Sequence, residues 1–131
     1  MQQPIVISGA GILGCYISCA LSLQGIDSIV LEKKDDEVED SVRTITLNPF
    51  SKNLLDKIGI ENDYSMINKM EVKDFDGTGK IVFKSREIGM DHLAYVSDFA
   101  TLLMAVRKKA NEKILYNCLL YTSDAADDVI S

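Results

Sequence analysis

The opening 32 residues hold the feature that most constrains the fold. Ile5-Val-Ile7 reads as a strand. Gly9-Ala-Gly11-Ile-Leu-Gly14 follows at once, and an apolar run continues from Ile12 to Leu23 with helical length. Together they form the G-x-G-x-x-G turn of a βαβ unit that binds a dinucleotide. Glu32 closes the next strand, Ser28-Ile-Val-Leu31, at about the ~20-residue distance where such units carry an acid. A glycine triplet alone is weak evidence, but strand, helix and acid in this order make a strong pattern.

Each residue type has a physical reason. Gly9 lets the chain turn sharply out of the strand, where a Cβ is expected to clash. Gly11 bares the main chain so that a pyrophosphate can approach, and Gly14 lets the helix sit close to the sheet. The helix directs free N–H groups and the positive end of its dipole at the phosphates. That interaction is worth roughly 0.3–1 kcal/mol when exposed and up to ~2 when partly buried, so it positions a ligand more than it supplies the affinity. Glu32 can accept hydrogen bonds from both ribose hydroxyls, and its charge disfavours a 2′-phosphate, which argues against NADP in this groove. The plain alternative is a glycine turn that holds no ligand.

A chain of 131 residues makes one domain able to bury roughly two-thirds of its unfolded surface. The net charge of −6 argues against a nucleic-acid partner. The one basic cluster, Arg107-Lys108-Lys109, is read as complementing a helix C-terminus. No stretch reaches the ~18 apolar residues of a membrane span. No basic segment precedes Ile12–Leu23 as in a signal peptide, so a cytoplasmic protein is expected. Cys15 and Cys19, four apart on the first helix, read as small packing residues, since a metal would need two more ligands nearby. The sole histidine, His92, reads as a loop residue.

Further along, the pattern gives strand 4–8, helix 12–25 ending at Gly25, and strand 28–32. Eight of the nine residues from Glu32 to Asp40 are charged, which makes a solvated loop. Asn48-Pro49 opens a second helix with apolar Leu54, Leu55 and Ile58, stopped by Gly59. Met70–Phe75 and Ile81–Phe83 form a hairpin around Asp76-Gly-Thr-Gly79. Ala94-Tyr-Val96 is extended, and Ser97 or Asp98 caps a third helix to about Ala110. Lys113–Tyr116 is a strand expected beside the first in the parallel sheet.

Three blocks extend the pattern: IVISGAGILG with LEK ending at Lys33, VRTITLNPFSKNLLDKIGI (42–60), and KMEVKDFDGTGKIVF (69–83). With them, residues 4–116 resemble the flavin-dependent aromatic hydroxylases of ubiquinone biosynthesis, within the single-component flavoprotein monooxygenases. The resemblance implies a truncated α/β, Rossmann-like FAD-binding domain with a parallel sheet and an inserted β-hairpin. It implies FAD, held by Gly9, Gly11, Gly14 and Glu32. Arg43 is implied to reach the cofactor near its diphosphate or ribityl chain, a role that suits a permanently charged guanidinium. The alternative for Arg43 is pairing with the acidic loop before it. Phe99 stands where the family often has an arginine, so no flavin role is assigned to the third helix. By resemblance, NAD(P)H reduces FAD and O2 supplies the hydroxyl placed on a phenolic ring. The substrate is a small phenol, prenylated in some cases, and peripheral contact with the inner membrane or a biosynthetic complex follows. No catalytic residue is named, because the family's later motifs have no counterpart in these residues.

Residues 118–128, CLLYTSDAADD, resemble a translated sequencing-adaptor end. A partial FAD-binding domain over 1–117 and a non-native tail over 118–131 are therefore expected, and the domain alone is expected to be inactive. Three of the chain's 20 acidic residues lie in that tail. Two other functions fit the glycine turn: the nucleotide-binding domain of an NAD-dependent dehydrogenase, or a small non-catalytic nucleotide-binding module.

Overall fold

The computed structural model describes residues 3–118, together with the backbone of two short strands at 121–122 and 129–130. The chain opens with β1 (Ile5–Ser8), α1 (Ile12–Leu23) and β2 (Ser28–Leu31), and the two strands pair in parallel from Ile5 opposite Ser28 to Ser8 opposite Leu31. Gly25, with φ +75°, turns the chain back just past α1. A charged loop then leads to β3 (Thr44–Leu47) and α2 (Pro49–Lys57). Asn48 caps α2, its Oδ1 accepting the Ser51 amide at 2.7 Å, and Pro49 occupies the first turn. Next come β4 (Ser65–Ile67), the hairpin β5 (Lys69–Lys73) and β6 (Lys80–Lys84), a 3-10 turn over Ser85–Ile88, and β7 (Ala94–Asp98). Asp98, not Ser97, caps α3 (Phe99–Ala110), its Oδ2 accepting the Thr101 amide at 3.0 Å. A 3-10 turn at Asn111–Lys113 leads into β8 (Ile114–Leu115). Strands β9 (Tyr121–Thr122) and β10 (Val129–Ile130) pair antiparallel. The predicted tail otherwise lies outside the described residues, apart from Cys118.

Among the described residues three strands make the parallel sheet, in the order β1-β2-β8. The last strand was expected beside β1; it pairs with β2 instead, Val30 opposite Ile114. The hand of parallel crossovers explains this. Helices α1 and α3 pack against each other, so both crossovers cover one face of the sheet. Right-handed crossovers on one face step across the sheet in one direction, which carries the chain from β1 to β2 and on to β8.

A second, antiparallel sheet β3-β7-β4 was not anticipated from the sequence beyond the extended Ala94–Val96. The β5–β6 hairpin agrees with the sequence pattern, with Met70 opposite Phe83 and Val72 opposite Ile81. The core lies between the parallel sheet and its helices. Val30 from β2, Cys15 and Cys19 from α1, Leu102 and Val106 from α3, and Ile114 from β8 meet there. The buried hydroxyls of Ser18 and Ser28 satisfy each other across α1 and β2 at 2.7 Å.

Candidate functional site

The glycine turn sits where β1 passes into α1. The Gly9 amide donates to the Leu31 carbonyl at 2.7 Å and extends the β1–β2 ladder into the turn. Gly9 has φ +101°, yet a Cβ built there meets nothing within 4 Å. The expected clash is therefore absent, and it is the left-handed backbone that calls for glycine. Gly11 has an ordinary φ of −78° as the N-cap of α1, and a Cβ there would also point into open space. Among the described residues no side chain caps this helix, and its first turn contains no acid. The helical ladder begins with the Cys15 amide donating to the Gly11 carbonyl, so the first-turn amides of Ile12, Leu13 and Gly14 stand outside it at the open end of the helix. Gly14 is different in kind. A Cβ there would run into the Gly9 carbonyl oxygen and sit 3.4 Å from Ile7 Cγ2, so this glycine lets α1 close onto the turn itself.

Glu32 is held at the end of β2 by main-chain donors. Its Oε1 accepts the Ala10 amide and its Oε2 the Lys34 amide, both at 3.0 Å. Arg107 comes in from α3: its Nε donates to the Ala10 carbonyl at 2.8 Å, and its Nη2 lies 3.7 Å from Glu32 Oε1. Both side chains are only 13% exposed. Burial pushes the Glu32 pKa up, but the amides of Lys34 and Ala10 and the Arg107 and Lys34 cations outweigh it, leaving the carboxyl below its usual range. A carboxylate offers about four acceptor positions, so two remain for a ligand's hydroxyls.

Arg107 was read from the sequence as a helix-end charge. The structure corrects this, because its guanidinium faces the glycine turn. The signal was present in the helical period, since Arg107 follows the buried Leu103 by one turn.

Arg43 precedes β3, and its carbonyl accepts the Phe99 amide at 3.0 Å. Its guanidinium stacks on the Phe99 ring, 3.9 Å from the centroid. The residue that departs from the arginine expected on α3 thus supports a different arginine. Among the described residues Arg43 forms no ion pair with the acidic loop or with Glu32. It borders an open groove of about 650 Å³, lined also by Lys34, Glu37, Phe99 and Arg107. Arg107 thus joins the groove to the glycine turn.

His92 lies in the loop before β7, as expected, with its Nδ1 bonded to Asn68 Oδ1. Burial pushes the Cys15 thiol up to about 11, which suits a packing residue.

Residues 2–115 match the family model described as FAD binding domain. The chain belongs to this family. Solved structures share the fold of this FAD binding domain. One is a tetrameric 2-methyl-3-hydroxypyridine-5-carboxylic acid oxygenase, at 17% identity and a TM-score of 0.71 over 99% of this chain. Another is Klebsiella pneumoniae HpxO complexed with FAD and uric acid, at 20% identity and 0.69 over 97%. A third is p-nitrophenol 4-monooxygenase PnpA from Pseudomonas putida DLL-E4, at 18% and 0.71 over 96%. The chain spans 37%, 34% and 34% of those chains, about a third of each. The residues present fit FAD. The open face at Gly11, the uncapped start of α1 and the carboxylate of Glu32 match an adenosine diphosphate in charge and in hydrogen-bonding sense.

Proposed function

We propose that this chain is the FAD-binding part of an NAD(P)H- and O2-dependent aromatic-ring hydroxylase of ubiquinone biosynthesis. Its substrate would be a phenol able to carry a prenyl chain. The observation that carries the reading is the glycine turn: bare main chain at Gly11, an uncapped helix start, and a largely buried carboxylate at Glu32. The resemblance of blocks 42–60 and 69–83 supports the hydroxylase class over a plain nicotinamide dehydrogenase. In this reading Gly11 and the first amides of α1 bind the diphosphate, Gly9 and Gly14 shape the turn, Glu32 holds the ribose, and Arg43 contributes a cation across the groove. FAD, when bound, supplies the redox chemistry. The protein would work in the cytoplasm, peripheral at the inner membrane or on a biosynthetic complex; no helix among the described residues is long and apolar enough to cross a membrane.

Flavin-fluorescence titration of the purified chain tests the binding half: FAD fluorescence should be quenched saturably and recovered by ADP. NAD(P)H consumption by a flavin-loaded full-length protein carrying this domain tests the rest, and should rise with added phenol and yield hydroxylated product. Loss of quenching defeats the whole reading. Quenching by the chain, with no response to phenols in the full-length protein, defeats the hydroxylase part alone.

A further inference from the structure

Ala10 is the single residue between the first two glycines of the turn, and it is fully buried. Both of its backbone polar groups are held by side chains distant in sequence. Its N–H donates to Glu32 Oε1 at 3.0 Å, and its carbonyl accepts from Arg107 Nε at 2.8 Å across 97 positions of chain. The two side chains face each other at 3.7 Å and close the ring. On the side of α3 the Arg107 guanidinium lies 5.7 Å from the centre of the Tyr116 ring. Glycines on either side of Ala10 leave the turn with more backbone freedom than any other residue type would. A planar guanidinium can donate to a carbonyl and face a carboxylate at once, which an ammonium does less well.

We infer that Arg107 is the positioning residue of the dinucleotide turn: from α3 it clamps Ala10, so that the bare backbone of Gly11 and the start of α1 are presented in one geometry. The inference rests on the FAD reading above and deepens it. The clamp orders the turn before a ligand arrives, so binding need not meet the cost of ordering it. The Arg107 cation also offsets the Glu32 charge beside a site meant for an anionic group.

The test uses the purified chain with Arg107→Met and Arg107→Lys, and ADP as the probe. Without nucleotide, amide hydrogen exchange at Ala10 should quicken about tenfold in Arg107→Met, while the amides of Leu102 and Val106 keep their protection. ADP affinity should fall about tenfold, as expected for losing a charged hydrogen bond. Combining Arg107→Met with Glu32→Gln should cost less than the sum of the two separately. Glu32 is faced by Arg107 of α3, Lys34 of its own loop, Cys15 of α1 and Tyr116 after β8. The acid limb of ADP binding should therefore move to higher pH in Arg107→Met and stay in place in Arg107→Lys, which keeps the cation. If Arg107→Met does not melt cooperatively, the Ala10 exchange and ADP affinity of Arg107→Lys decide, and both should lie between wild type and a tenfold loss. Unchanged Ala10 exchange or unchanged ADP affinity overturns the clamp. A wild-type chain that protects Ala10 yet binds no ADP overturns the FAD reading, and the inference with it.

Discussion

Two glycines three residues apart should respond in opposite ways to the same added methyl group. At Gly14 a Cβ meets the Gly9 carbonyl oxygen, part of a backbone already bonded to Leu31, so α1 or the turn must shift by on the order of 1 Å. Overpacking of this kind costs about 1–3 kcal/mol, and rigid backbone on the far side puts Gly14→Ala near the upper end. Alanine's better helix propensity returns up to about 1 kcal/mol. The net loss is about 2 kcal/mol, or a fall in Tm of about 6–8 °C for a domain of this size. At Gly11 the backbone is already in a region open to alanine, and a Cβ meets nothing within 4 Å. The poorer N-cap preference of alanine and the lower entropy of its unfolded chain roughly cancel, leaving Gly11→Ala within about 0.5 kcal/mol of wild type. Its methyl group, however, stands on the surface offered to the diphosphate, so FAD should bind at least about tenfold more weakly, 1.4 kcal/mol or more. Circular-dichroism melts and flavin-fluorescence titrations of both variants give the four values needed. If Gly14→Ala melts within about 1 °C of wild type, or Gly11→Ala loses as much stability as Gly14→Ala, the reasoning is refuted.

Other outcomes follow from the same structure. Leu102 has no exposed surface, so Leu102→Ala should destabilise by about 2–5 kcal/mol in urea unfolding. The carboxyls of Asp27 (hydrogen-bonded by Lys113), Asp76 (by Thr78), Asp98 (by Thr101) and Glu32 all lie below their usual range in the folded chain. The unfolded chain therefore binds more protons as the pH drops. Stability should be complete above about pH 5 and fall through about pH 4 and below, which urea midpoints from pH 7 to pH 3 would show. Cys15 and Cys19 are buried with thiols pushed up by that burial, so iodoacetamide at neutral pH should label them only as fast as the chain opens.

Local chemistry made much of this fold legible. A left-handed glycine, an asparagine followed by proline, an aspartate before Phe99 and an alternating hairpin each act within a few residues, and each falls where the pattern put it. What the sequence hid depends on partners far along the chain. Strand β3 is only Thr44-Ile-Thr-Leu47, and β4 shows no alternation; both exist through pairing with β7, some 30–50 residues away. The place of β8 follows from the crossover hand and from which face α3 shares with α1. At the site, the close packing at Gly14 was readable, whereas Gly9 is needed for its φ and not for space. Arg107 was not readable as part of the site, because a basic residue near a helix end has an adequate local explanation. Only the tertiary meeting of α3 with the turn shows its second one.

The most direct test is an amide-resolved NMR titration of the chain with ADP. The account predicts saturable shifts centred on the amides of Gly11, Ile12 and Leu13, together with those of Ala10 and Lys34 that bond to Glu32. A titration in which those amides stay still, or in which the shifts gather at the groove between Ser22 and Lys113 instead, would contradict it.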